Sequence, residues 1–279
     1  MHILYKEAGM TMNTFIDNYK KEYNLDKVLS TKVLSTKVLS TKVCYSGRLD
    51  PMARGQVMIL TGDECKKMEI YNKKNKTYTF EIIFGLSTDT DDVMGFLRKP
   101  ISVSLLSNMP NMPNTDDVMG IFNSPILEFN NDCKLVSDIK HYIDIHIGTS
   151  FMQEFHDFSS IKYKGKSLWY YALNKIPIEK PKHMVTLYNA HYNDIKKYNY
   201  NEWKDDICMK INNIDRKNNF RQDDIIKQYN DTRLESLYSL PITITVSSGF
   251  YVRQLVRDIM NYIKYPILTH DINRINIII

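Results

Sequence analysis

Cysteine is scarce in this chain of 279 residues, and the four present stand far apart: Cys44, Cys65, Cys133 and Cys208, none in a C-x-x-C pair. That spacing excludes a zinc knuckle and a compact disulfide framework, and leaves reduced intracellular thiols. The seven histidines form no i, i+4 pair with a nearby carboxylate, so no metal site is expected. Long apolar runs are also missing. Nothing approaches the roughly 18 consecutive apolar residues of a membrane span. The opening "MHILYKEAGMTMNTF" lacks the basic-then-apolar pattern of a secretory signal. An intracellular, cytoplasmic or organellar protein without a membrane partner is expected.

What remains is ordinary for a globular chain: 43% hydrophobic and 25% charged residues, enough for one large domain or two small ones. The net charge of +5 and pI near 8.8 are compatible with an anionic partner such as nucleic acid but do not require one.

Two short repeats interrupt the chain. "VLSTK" occurs three times in succession over 28–42, and "TDDVMG" occurs at 90–95 and again at 115–120. A five-residue period fits neither helix nor strand and is too short for a solenoid. Both repeats read as tolerated surface insertions, since added loop length costs little free energy. Helices are expected over 12–23, 134–148 and 252–263. Strands are expected over 76–85, 184–192 and 242–251, with 56–61 a buried strand or a helix start and "INIII" a last strand on the core. The polar segment 193–236 reads as surface helices and loops between two apolar elements. Strands and helices mix without βαβ alternation, which favours an α+β or mixed-sheet fold.

Four stretches carry chemistry. "SGRLDPMARG" sets Asp50 between Arg48 and Arg54, flanked by Gly47 and Gly55. Asp50 reads as a solvated turn carboxylate or as a reacting group. The glycines would let a ligand approach the backbone, and the arginines could meet phosphates or hold the carboxylate ionised. Tyr78, in "KTYTFEIIFG", suits core packing or stacking on a base. Arg253, in "SSGFYVRQLVRDI", sits near a helix start where the dipole disfavours a cation, a hint of an anionic partner. "SSIKYKGKSLWYYA" interleaves Lys162, Lys164 and Lys166 with aromatic rings, which suits either RNA or a solvated turn followed by a core helix.

In this order the segments resemble the TruB-type tRNA pseudouridine synthases. "YSGRLDPMARG" is similar to that family's G-H-x-G-x-L-D-P-x-A-x-G, and "KTYTFEIIFGLSTDTDDVMG" resembles its tyrosine, strand and G-x-x-T-D-T-x-D-x-x-G. "SFMQEFHDFSSIKYKGKSLWYYA" resembles Q-x-P-P-x-[Y/F]-S-A-x-K-x-x-G-x-x-L-Y-x-x-A, "VSSGFYVRQLVRDI" resembles S-x-G-T-Y-I-R-x-L-x-x-D-[LI], and "YKEAGMTMNTFID" is similar to the opening K-P-x-G-x-T-S. The resemblance covers nearly the whole chain. It implies a pseudouridine-synthase fold over 1–279: a mixed, mainly antiparallel central sheet flanked by helices. A loop insertion is expected over 96–125 and a thumb-like RNA-binding insertion over 151–183.

It also implies an isomerase that turns uridine into pseudouridine, at the T-loop uridine (position 55) of tRNA, as a monomer and with no cofactor or metal. Asp50 is then the nucleophile, Tyr78 stacks on the flipped base and takes the C5 proton, and Arg253 keeps Asp50 ionised. Ile272 matches an apolar residue near the base. Tyr45, Gly47, Arg48, Arg54, Lys162, Lys164 and Lys166 are expected to meet RNA. The alternatives are the same chemistry on another RNA, guide-dependent or not, and a tRNA-folding chaperone without catalysis. The chain departs from the pattern where Tyr45 replaces a histidine and where Phe155 and His156 replace a Pro-Pro pair. The "VLSTK" array should loop out, the first "TDDVMG" is the true motif copy, and a C-terminal PUA domain is expected to be absent.

Overall fold

The computed structural model describes residues 1–25, 41–98 and 130–278. The "VLSTK" array, apart from its last two residues, and the second "TDDVMG" lie outside them, as does all but the start of the 96–125 insertion.

In chain order the elements are β1 (His2–Lys6), α1 (Met12–Glu22), β2 (Val43–Ser46), β3 (Arg54–Thr61), α2 (Met68–Asn72), β4 (Lys76–Phe84), α3 (Lys134–Asp144) and β5 (Ser150–Glu154). There follow β6 (Lys162–Tyr163), β7 (Lys166–Ser167), α4 (Leu168–Leu173), β8 (Lys182–Tyr192), β9 (Lys196–Asn199), α5 (Tyr200–Asn213), α6 (Gln222–Asp231), β10 (Ser236–Val246), α7 (Val252–Ile263) and β11 (Ile267–Ile277). Among the described residues no helix is long and apolar enough to cross a membrane. All four cysteines are free thiols.

Among the described residues nine strands form one sheet in the order β1-β3-β11-β4-β10-β8-β5, with β2 added beside β3 and β9 beside β10. Every named pairing is antiparallel except β3 with β11. The terminal strand therefore runs through the middle of the sheet rather than along its rim. The α+β class and mainly antiparallel sheet expected from sequence are what the chain adopts.

Strand alternation sorts the core into two faces. Val57 and Ile59 of β3, Tyr78, Phe80 and Ile82 of β4, and Ile242, Ile244 and Val246 of β10 pack on α1, α3 and α7. Helix α7 supplies Val252, Leu255, Val256, Ile259 and Ile263, a stripe at helical spacing. Burying one such aliphatic side chain contributes about 1.5–3 kcal/mol. The opposite face holds Ile83 and Leu268 against α5 and α6.

That second core differs from the expectation for 193–236. Tyr200, Trp203, Ile207 and Ile211 of α5, with Ile225 and Tyr229 of α6, are buried. The intervening Asn, Lys and Asp residues mask this stripe in a composition reading. Residues 56–61 are a strand, and the strand expected from 242 begins at 236. Pro241 sits inside β10 where its partner changes from β9 (through Ser239) to β8 (from Ile242), so its missing N–H costs no ladder bond there. Within 151–183, where an insertion is expected, β5 and the start of β8 belong to the main sheet and 155–181 lie outside it.

Candidate active site

The loop between β2 and β3 carries Asp50, and two buried cations hold its backbone. Lys6, fully buried at the end of β1, donates from Nζ to the carbonyls of Asp50 (3.2 Å), Pro51 (3.3 Å) and Ala53 (2.7 Å). Arg274, fully buried on β11, donates to the carbonyls of Gly47 (3.0 Å) and Gln56 (2.6 Å). Carbonyls along the whole loop thus converge on two side chains from the two ends of the sequence. Burial pushes the Lys6 ammonium down to about 8, against the pull of Asp50 and with help from Arg274.

The glycines make room for the protein's own β11. Gly47 has φ +74° and Gly55 φ +120°. A Cβ on Gly55 would lie 2.4 Å from the Arg274 carbonyl oxygen, and one on Gly47 would lie 2.9 Å from Arg274 Nη1. Both glycines admit the close approach of β11.

Arg253 lies in the first turn of α7, 5% exposed, and its Nη2 reaches Asp50 Oδ2 at 2.7 Å. Its Nε is 3.6 Å from Asp92 Oδ2, Nη1 donates to the Thr90 carbonyl (3.2 Å) and Nη2 to the Phe158 carbonyl (3.2 Å). Burial works against its charge, but Asp50, Asp92 and Asp91 outweigh burial and hold the guanidinium above its ordinary value. These anions also offset the unfavourable helix dipole. The Asp50 side chain is 36% exposed, so its carboxylate is held from behind and open in front. Asp92 accepts from Thr90 Oγ1 (2.7 Å) and the Met94 N–H (2.9 Å), and burial raises its carboxyl above the usual range.

Tyr78 is buried on β4, on the same core face as Leu49, Val252 and Ile272. Ile272 follows Asp271 (φ +47°) at a break in the β11–β4 register, and such a bulge re-aims a side chain. Tyr251 is tied to β5: Gln153 accepts from its N–H (2.9 Å) and donates to its carbonyl (3.1 Å). Burial first, and then the Asp50 charge, push the Tyr251 hydroxyl up to about 12, with Arg253 and Arg48 opposing.

The other sequence candidates fall in different places. Arg48 is exposed on the loop, close enough to Tyr251 to counter the upward push on its hydroxyl. Arg54 points elsewhere: it forms a fork with Asp271 at 2.6 Å on each oxygen and donates to the Tyr5 hydroxyl (3.0 Å). Tyr45 lies on β2 and lines a separate cleft with Ile16, Lys20 and Met68. Lys162, Lys164 and Lys166 are exposed on the β6–β7 hairpin, whose turn residues Lys164 and Gly165 both have positive φ, as a two-residue turn of this hand requires. Lys164 lies over the Tyr163 ring (5.3 Å) and Lys166 over Tyr170 (5.1 Å), while Trp169 stays exposed.

Sequence reasoning gave no role to Lys6, Asp91, Asp92, Gln153, Tyr251, Arg257 or Arg274. The signal was present for all but Arg274, since each of the others sits inside a quoted stretch, and Lys6, Asp92, Gln153 and Tyr251 fall on specified positions of its motif.

Comparison with known proteins follows this geometry. Residues 31–110, which include Asp50 and Tyr78, match the family "TruB family pseudouridylate synthase (N terminal domain)". The chain is 26% identical over 266 residues to tRNA pseudouridine synthase B of Bacillus subtilis, covering 95% of this chain and 60% of that protein. It is 24% identical over 261 residues to the protein of the same name from Caldanaerobacter subterraneus, covering 94% of this chain and 62% of that one. The chain therefore spans about 60% of the length of these relatives. In three dimensions it is similar to a chain of the crystal structure of a Cbf5-Nop10-Gar1 complex, with a TM-score of 0.50 and 11% identity, over 99% of this chain and 48% of that one. That likeness concerns the fold. By sequence the chain is similar to TruB-family proteins, and its fold is similar to that of the Cbf5-containing complex.

Proposed function

We propose that this protein isomerises uridine to pseudouridine in RNA, at the T-loop uridine of tRNA, with Asp50 as the reacting carboxylate. The observation that carries this reading is the Asp50–Arg253 pair. A part-exposed carboxylate is held at 2.7 Å by a buried guanidinium, in a loop whose sequence matches the TruB family.

Asp50 attacks the ribose C1′ as the N1–C1′ bond breaks and the electron pair stays on the base. The base turns, C5 forms the new bond to C1′, and Asp50 leaves. The C5 proton passes to Tyr78 and out, and N1 takes up a proton, so atoms balance and no oxidant or reductant is consumed. Arg253 holds and orients the Asp50 carboxylate through the ion pair. Tyr78 and Ile272 supply the apolar and aromatic walls for a base taken out of its stack. Lys162, Lys164 and Lys166, with Tyr163 and Trp169, offer cations to phosphates and rings to the folded arm.

The test is to incubate the purified protein with an unmodified tRNA transcript and map pseudouridine. Product at the T-loop position that is lost in Asp50→Asn is expected. Product made equally well by Asp50→Asn would remove Asp50 from its role.

A further inference from the structure

Behind Arg253 lies a second ionic cluster, buried at Asp91 and His156 and reaching the surface at Asp157, Lys180 and Glu154, that does not touch Asp50. Asp91, 1% exposed, accepts at one oxygen, Oδ2, from His156 Nε2 (2.9 Å), Arg257 Nε (2.6 Å) and Arg257 Nη2 (2.5 Å). Arg257 Nη1 reaches Asp157 Oδ2 (2.5 Å), and Lys180 bridges Asp157 (3.3 Å) to Glu154 (3.1 Å). The Phe158 N–H donates to His156 Nδ1 (3.2 Å). Nδ1 is therefore an acceptor, and the imidazole proton sits on Nε2, aimed at Asp91. Burial, with the charges of Arg253 and Arg257, keeps this ring neutral.

The position of this cluster gives it a purpose. Arg253 is oriented by two backbone carbonyls, those of Thr90 and Phe158. Thr90 immediately precedes Asp91, and Phe158 follows His156 by two residues. Arg257 is one helical turn beyond Arg253 on α7. Asp91 itself has φ +55°, a strained conformation for a side-chain-bearing residue, which persists only where the surroundings over-determine it. His156 stands where the motif that this segment resembles has its second proline. Backbone that a proline would stiffen covalently is fixed here by hydrogen bonds.

We infer that His156, Asp91 and Arg257 are positioning residues: they lock the Thr90 and Phe158 carbonyls that aim Arg253 at Asp50, and so couple the segment after β5 to the reacting carboxylate. The inference rests on the reading of Asp50 as the reacting group, and its consequence can be measured without catalysis. If the lock loosens, Arg253 drifts, and the Asp50 carboxylate loses part of its ion pair with the guanidinium.

The test measures the Asp50 side-chain pKa by carbon NMR, alongside kcat and KM on a tRNA transcript, for wild type, His156→Leu, His156→Gln and Asp91→Asn. His156→Leu changes no charge, because the ring is neutral, and keeps most of the volume. It is expected to raise the Asp50 pKa and to lower kcat by roughly 10- to 100-fold with KM within about threefold, the scale for a slight misplacement of a catalytic group. His156→Gln, whose amide can donate to Asp91, is expected to restore both. Asp91→Asn separates position from charge: removing a nearby anion alone lowers the Asp50 pKa, whereas loss of aim raises it. If His156→Leu does not fold, the sign of that shift decides. An unchanged Asp50 pKa in His156→Leu, a fall in Asp91→Asn, or damage in His156→Gln equal to that in His156→Leu would overturn the inference. A wild type that makes no pseudouridine would defeat the proposed function and leave the Asp50 titration to decide the positioning.

Discussion

Arg253 is the residue on which the site turns, because its guanidinium meets oxygens from three separate loops: Asp50, Thr90 with Asp92, and Phe158. A planar fork can serve that many directions and a lysine cannot. Arg253→Lys keeps the charge but is expected to lose the fixed angle to Asp50. A fall in kcat of about 100-fold or more, with KM changed little, is the outcome for an interaction made in the transition state. Steady-state kinetics on a tRNA transcript checks it, and activity within about threefold of wild type would show that charge alone suffices. Part of this was legible in the sequence. Asp50, Tyr78 and Arg253 each sit in a motif, and a cation at a helix start already pointed to an anionic partner. The oxygens that orient Arg253 were not legible, because a backbone carbonyl leaves no mark on residue type. Lys6 and Arg274 were given no role for a related reason: lysine and arginine in strands read as exposed, whereas here their partners are the loop's own carbonyls.

Among the elements, the hairpin β6–β7 with helix α4 makes the strongest claim on RNA. Its three lysines are exposed, two of them lying over tyrosine rings, and the main sheet does not depend on it for any pairing. Replacing Lys162, Lys164 and Lys166 together by alanine is expected to weaken tRNA binding. It should reduce the slope of log affinity against log salt by up to about 2, the share of three phosphate contacts at roughly 0.7 each. Binding titrations across a salt series check this, with kcat at saturating tRNA staying near wild type. An unchanged slope would mean that the hairpin does not meet phosphates. Long strands and α7 were readable at this scale because their apolar residues keep one period throughout. Helices α5 and α6 were not, since Trp203, Ile207 and Ile211 are spaced among lysines and aspartates that dominate the composition. The order β3-β11-β4 was equally hidden: a terminal "INIII" gives no sign that its strand pairs in parallel with one that starts at residue 54.

At the scale of the whole molecule, buried cations without carboxylate partners set how stability responds to pH. Lys76, 5% exposed, donates to the carbonyls of Asn72 (2.9 Å) and Lys74 (2.5 Å). Burial, with Arg274 adding repulsion, pushes its ammonium down to about 8. Lys6 is lowered to about 8 as well, by burial first. The sign follows from linkage. Between about pH 8 and 10.5 the unfolded chain holds a proton at each lysine that the folded chain has released, so stability rises with pH across that window. Each lysine contributes up to about 1.4 kcal/mol per pH unit. Tyrosines oppose this at higher pH. Burial pushes the Tyr200 and Tyr142 hydroxyls up to about 12, so the unfolded chain ionises them first and stability is lost above about pH 10. Lys76→Met isolates the rising limb, since Lys76 lies on a strand and touches neither Asp50 nor Arg253. Urea denaturation of both proteins from about pH 7 to 9.5 should give a stability difference, wild type minus variant, that is flat below about 7.5 and then grows by roughly 1 kcal/mol per unit. A difference independent of pH would mean that Lys76 keeps its proton in the folded protein, and that the carbonyls around it compensate for burial in full.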